Sequence, residues 1–246
     1  DKSIIQLIDK YGDKCDDLHT DLHECLGHGS GKLLEGVSPN ALKSYGSTIE
    51  EARADLFGLY YIADSKLVEL GLLDSSEAYK AGYYSYMLNG LMTQLVRIKK
   101  GCQIEESHMR NRALIARWCY EQGKSENVVE MYEDNGKTFM RINDYVKLRQ
   151  LFASLLAEIQ RIKSEGDYEA AKLLVEGYGV KVDEKLHDEI LERYAALDLA
   201  PYKGFINPVL KPVYDSENNI QDIKADYTES YSTQMMRYSR EYATLI

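Results

Sequence analysis

"DLHTDLHECLGHGSGKLLEG", residues 17 to 36, places His19, His23 and His28 within ten residues of a chain that holds five histidines in all. The apolar residues before and within it, Ile4, Leu7, Ile8, Tyr11, Leu18, Leu22 and Leu26, recur at helical spacing. That spacing predicts a helix over 3–31, broken at Gly12. Paired histidines on one helix, with Glu24 beside His23, form the pattern of a metal-binding helix. Two imidazoles hold the ion, and the neighbouring carboxylate stays free to handle protons. The difficulty is register. Each residue of an α-helix turns about 100°, so histidines four apart project about 40° from one another. His23 and His28 are five apart, a rotation of about 140°. A regular helix therefore aims the two rings in different directions. One inserted residue, with i to i+5 hydrogen bonds, restores a shared face, and such widened turns favour functional sites. Gly27 is placed to tolerate the distortion because it has no Cβ, and Gly29-Ser30-Gly31 then lets the chain turn away. His19 and His23 are four apart and need no distortion, but Thr20 stands where the proton-handling carboxylate is needed.

Zinc engaged in chemistry takes three protein ligands and keeps a fourth position open. The third is expected from "STIEEARADLFGLYYIADSKLVELG", residues 47–71, which reads as a helix. Ser47-x-x-Glu50 opens it as a capping box, apolar residues follow at Ile49, Ala52, Leu56, Leu59, Ala63, Leu67 and Leu70, and Gly71 ends it. Glu51 and Asp55, four apart, share one face. One of them can ligate while the other accepts an N–H from a ligating histidine. Taken alone, the run of acids and Arg53 would read as a solvated helix face held by ion pairs.

The rest of the chain reads as mainly α. Further helices are expected over 75–100, 104–122, 125–133, 144–165, 167–177, 183–196 and 229–244. Strand signals are few: "KTFMRI", residues 137–142, and a β-hairpin over 205–227 around Ser216-Glu217-Asn218-Asn219. Pro208 and Pro212 keep the first strand of that hairpin at an edge. A single mostly helical domain is expected over 1–246, with the hairpin inside it. The net charge of −10 argues against nucleic acid as a partner, since phosphate binding needs clustered Lys and Arg. No apolar run approaches the ~20 residues of a membrane helix, so no membrane partner is expected. Cys15, Cys25, Cys102 and Cys119 show no C-x-x-C pairing and are too sparse for a disulfide scaffold. They read as reduced thiols in a cytoplasmic protein. The chain begins Asp1-Lys2 with the histidine motif close behind, which reads as part of a longer protein.

H-E-C-L-G-H at 23–28, followed by E-E-A-R-A-D at 50–55, resembles the dipeptidyl peptidase III family. Its signatures are H-E-x-x-G-H and E-E-x-[RK]-A-[ED], and both match at every defined position. The resemblance implies a mainly α, multi-helical zinc-peptidase lobe. It implies a zinc-dependent exopeptidase that releases dipeptides from the N-terminus of oligopeptides. One zinc ion would be held by His23, His28 and Glu51, with Glu24 as general base and Asp55 orienting a ligand histidine. "SHMRNR", residues 107–112, resembles a downstream segment that supplies His108 to the reacting carbonyl, with Arg112 as a substrate contact one turn on. The family is two-lobed, so an N-terminal lobe of the same protein is the expected partner of this chain, together with oligopeptide substrates. The distance from His28 to Glu51 is shorter than in the animal enzymes and implies a bacterial-type member with a trimmed loop. Three other readings stay open: a zinc aminopeptidase or endopeptidase of another class, a non-catalytic helical binding module, and a structural zinc site closed by His19.

Overall fold

Almost every face of one helix, α2 (Gly46–Ile62), is buried: Ile49, Ala52, Leu56, Leu59 and Ile62 are joined by Thr48, Arg53 and Asp55. A helix buried all round sits inside a bundle, and α1 (Lys2–Leu22), α5 (Ser107–Gln122) and α6 (Tyr145–Glu165) pack around it. The computed structural model describes residues 2–199 and 206–242. The chain divides into two compact units, Asp1–Leu197 and Asp198–Ile246.

In the first unit α1 runs unbroken through Gly12. An interior glycine costs only about 1 kcal/mol relative to alanine, and packing of α1 on α2 and on α4 (Tyr79–Leu91) offsets it. The helix predicted over 47–71 is two. Asp64 adopts an extended backbone and accepts from the Lys66 N–H at 2.9 Å, which starts α3 (Ser65–Glu69). Nor does the capping box form. A 3-10 turn, Lys43–Tyr45, leads straight into α2, whose first N–H, that of Gly46, is taken by the Lys43 carbonyl. Glu50 is thereby left for other partners. The helix predicted over 75–100 ends at Leu91, where Met92 leaves helical geometry before a 3-10 turn at Thr93–Arg97.

Residues 125–133 are not a helix. Val129–Asp134 forms β1, paired antiparallel with β2 (Lys137–Ile142), the strand expected from "KTFMRI". The cause is the turn between them. Asn135 and Gly136 both have positive φ, as a two-residue hairpin loop requires. After α6 come α7 (Tyr168–Tyr178) and α8 (Glu184–Ala195), capped by Asp167 and Asp183. The core is continuous, with Tyr83, Leu114, Phe152 and Ile159 fully buried.

The second unit holds the expected hairpin, β3 (Val209–Tyr214) against β4 (Ile220–Asp226), and α9 (Tyr231–Tyr242). Phe205 and residues 243 and 244, included in the predicted hairpin and helix, lie outside the described residues. Buried Gln234 accepts from the Asn207 N–H at 2.8 Å and donates to its carbonyl at 2.7 Å. The fold is mainly α, with two small antiparallel sheets. All four cysteines are free thiols. Among the described residues no helix is long and apolar enough to cross a membrane.

Candidate metal centre

The segment His23–His28 is a π-helix that continues α1 without interruption. Gly29 N–H bonds to the Glu24 carbonyl at 3.2 Å, the i to i+5 closure that the spacing of the histidines demands. Gly27 is required because it has no Cβ, and the clash it avoids is with the neighbouring helix. A Cβ on it would stand 2.6 Å from Ala54 Cα, so glycine lets the wide turn press against α2. Arg53 ties the two together. Its side chain is fully buried, donating to the Gly27 carbonyl at 2.7 Å, to Ser30 Oγ at 3.2 Å and to both oxygens of Glu50. Arg53 therefore gives the Gly27 carbonyl, which also accepts from the Ser30 N–H at 3.2 Å, its shortest hydrogen bond and links the turn to α2. An arginine in an acidic helical run gave no sequence signal of that contact.

The widened turn brings the rings of His23 and His28 to 4.6 Å between centroids, nearly perpendicular. Their Nε2 atoms stand 3.4 and 3.7 Å from the same atom, Glu51 Oε2. Ligand atoms of all three residues lie within 4.8 Å of one another. Glu51 Oε2 is buried and has no hydrogen-bond partner among the described residues. A buried carboxylate oxygen without a donor is rare and needs an explanation. A cation is one, and two nitrogens with one oxygen, leaving an open side, match the donor set of a zinc centre. The residues present fit the ion.

Each of the two histidines is oriented through its other nitrogen. His23 Nδ1 lies 2.7 Å from Asp55 Oδ1, and His28 Nδ1 lies 2.9 Å from Glu50 Oε1. A carboxylate only accepts, so both Nδ1 atoms carry a proton and Nε2 is the nitrogen that each ring turns toward Glu51. Asp55 is the helix-face carboxylate expected to do this. Glu50 was expected to cap the helix, and its contact with His28 came only with the fold. Asp55 also accepts from His19 Nε2 at 3.1 Å, Tyr86 Oη at 2.7 Å and Asn111 Nδ2 at 3.1 Å. Burial pushes its carboxyl up, but the bonds from His19 and His23 outweigh that and hold it well below the usual carboxylate range. The same Asp55 bond raises the proton affinity of His23 against the effect of burial. Burial likewise opposes ionisation of Glu50, yet Arg53, Lys163 and His28 hold its carboxyl at about 2.

The rival set, His19 with His23 and Asp55, also brings its ligand atoms within 4.8 Å of one another. There, however, both oxygens of Asp55 already accept from two donors each. Glu24 is exposed beside His23 on the wide turn, and its carboxylate makes no hydrogen bond or ion pair among the described residues. His108, in the first turn of α5, points Nε2 at Glu51 Oε2 from 3.4 Å while Nδ1 rests on Glu106 Oε1 at 2.7 Å. Arg112 lines a cavity of about 560 Å³ with His19, Tyr86 and Asn89, whose lining includes neither His23, His28 nor Glu51. Arg112 therefore sits beside the Asp55 network, one step away from the three converging atoms.

A model of peptidase family M49 matches residues 38–196, well over half of the chain. The chain belongs to peptidase family M49. The matched stretch contains α2 and α5 and begins after the π-helical turn. The M49 chain is 25% identical to dipeptidyl peptidase 3 of Mus musculus over 206 residues, covering 68% of this chain and 28% of that protein. It is 32% identical over 167 residues to a protein of Arabidopsis thaliana named Nudix hydrolase 3, covering 65% of this chain and 19% of that one. The structure of DPP III from Caldithrix abyssi superposes with a TM-score of 0.53 at 23% identity, covering 72% of this chain and 31% of that one. At that identity the likeness speaks to the fold. The M49 chain described here spans under a third of the length of each of these proteins.

Proposed function

We propose that this chain carries the zinc centre of a dipeptidyl peptidase, a zinc-dependent exopeptidase that releases dipeptides from the N-terminus of oligopeptides. The observation that supports it above all is the buried Glu51 Oε2, without a hydrogen bond among the described residues, facing two imidazole Nε2 atoms whose Nδ1 atoms are already held. His23, His28 and Glu51 would hold one zinc ion, which when bound polarises a carbonyl and makes nearby water more acidic. Glu24, unpaired and beside His23, takes the proton of the attacking water and returns it to the leaving amine. His108 presents Nε2 to the charge that develops on the scissile carbonyl oxygen. Asp55 and Glu50 keep the ligand rings in register, and Arg112 contacts substrate through the cavity it lines. The helical unit Asp1–Leu197 supplies this catalytic machinery, and a second lobe of the same protein supplies the groups that hold the substrate's ammonium. The isolated chain then binds zinc but turns over peptides poorly. The free thiols suit a cytoplasmic setting.

Two measurements test the reading. Metal analysis of the purified chain should find one zinc ion per molecule, and His28→Ala should lose it. The protein that contains this chain, given a tetrapeptide, should release dipeptides. Release of single residues or internal cleavage would point to a peptidase of another kind. Retention of zinc by His28→Ala would remove the assigned ligand set.

A further inference from the structure

His108 differs from the two ligand histidines in being open to solvent, with 59% of its side chain exposed. An exposed imidazole moves among rotamers unless something holds it. Glu106 holds it. Its Oε1 accepts from the His108 backbone N–H at 3.0 Å and from the ring Nδ1 at 2.7 Å, while its Oε2 accepts from the Met109 N–H at 2.9 Å. Glu106 is the N-cap of α5, and glutamate is not among the favoured capping residues. Within this molecule α3, α6, α7 and α8 are capped by Asp64, Asp144, Asp167 and Asp183. The extra methylene at α5 gives the carboxylate the reach to cap the helix and grip a ring together. The result repeats the pattern of the other two histidines, with Nδ1 on a carboxylate and Nε2 on Glu51 Oε2.

We propose that Glu106 is a positioning residue for the reaction: it fixes the His108 ring through Nδ1, so that Nε2 is the atom presented to the metal centre. This rests on the role given to His108 above. It adds a third carboxylate–imidazole pair, on the open side of the centre, to those formed by Asp55 and Glu50.

Two substitutions separate the cap from the grip. Glu106→Ser keeps a favoured capping residue but has one hydroxyl oxygen, too short to hold helix and ring at once. Glu106→Gln keeps an acceptor at the Oε1 position, which faces two donors, and gives up the Met109 N–H. In nitrogen-15 NMR of the chain, wild type and Glu106→Gln should show His108 as a single form protonated at Nδ1. Glu106→Ser should show the averaged signals of a free imidazole, with helix content unchanged by circular dichroism. In the protein that contains this chain, Glu106→Ser should lower kcat about 10-fold with KM little changed, and should cost nothing further in a His108→Ala background. His108 ring signals in Glu106→Ser identical to wild type would overturn the proposal, as would an equal loss with and without His108. A wild-type protein with no peptidase activity would defeat the proposed function, while the ring signals would still decide the role of Glu106.

Discussion

His23 and His108 face the same oxygen of Glu51 at the same distance, 3.4 Å, yet they are held in opposite ways. His23 is anchored by Asp55, whose side chain is 7% exposed and accepts from His19, Tyr86 and Asn111 as well. His108 is anchored by Glu106, with both side chains more than half exposed. In the buried half, each donor on Asp55 restricts the others, and water cannot replace any of them. In the open half, one carboxylate holds one ring and solvent competes. A metal centre that must hold its ion and admit a substrate needs both. In the function proposed above, rigidity falls on the side of the proposed ligands and access on the side of His108.

The largest expected effect belongs to the open half. Glu24→Gln should lower turnover by about 10²–10⁴-fold and leave zinc content unchanged, as read by peptide hydrolysis and metal analysis on the same preparation. Zinc lost together with activity would move Glu24 to the half that holds the ion. In the buried half, Asp55→Ala strands donors of four residues. It should weaken zinc binding about 10–100-fold in a competition titration against a chelating dye. Glu106→Ser should leave that affinity nearly intact. Equal losses from the two would erase the contrast drawn between them.

Two smaller effects sharpen the comparison on the side of stability. Gly27→Ala pushes a methyl group into the α2 backbone at Ala54 and should lower unfolding free energy by about 1–3 kcal/mol. Gly177→Ala, on α7 with open space around it, should be neutral or stabilising by up to about 1 kcal/mol. Urea titrations of the pair would decide it, and equal midpoints would mean that the turn is not pressed on α2. Last comes acid. The carboxyl of Glu50 titrates at about 2 in the fold against an ordinary 4.5. Its pKa is depressed, so its contribution to stability is complete above pH 4.5 and is lost as pH falls from there toward about 2. Glu50→Gln should flatten the loss of stability in that window in the metal-free chain. Asp55, held lower still, should leave the more acidic part of the curve in place.

How much of this was legible in advance depends on how far apart the cooperating residues lie. The demand for a widened turn followed from a count of five positions between two histidines, because helical rotation is a local property. Asn135-Gly136 carried an equally local hairpin signal, and weighing it would have replaced the helix expected over 125–133 with β1. Glu50 was different. A glutamate three residues after a serine reads as a capping box, and nothing near it in sequence announces that the preceding 3-10 turn has already satisfied the helix. Its real partners, His28, Arg53 and Lys163, include one that is 113 residues away.

The sequence alone thus determined which turn must widen, that Asp55 shares a face with Glu51, and that the chain is mainly α. Tertiary structure decided which Nδ1 each carboxylate holds, why residue 27 must be glycine, and that Glu106 reaches beyond its helix to a ring. The physical reason is range. Helical rotation and capping act within a few residues, whereas a buried donor finds its acceptor only after separate helices have packed.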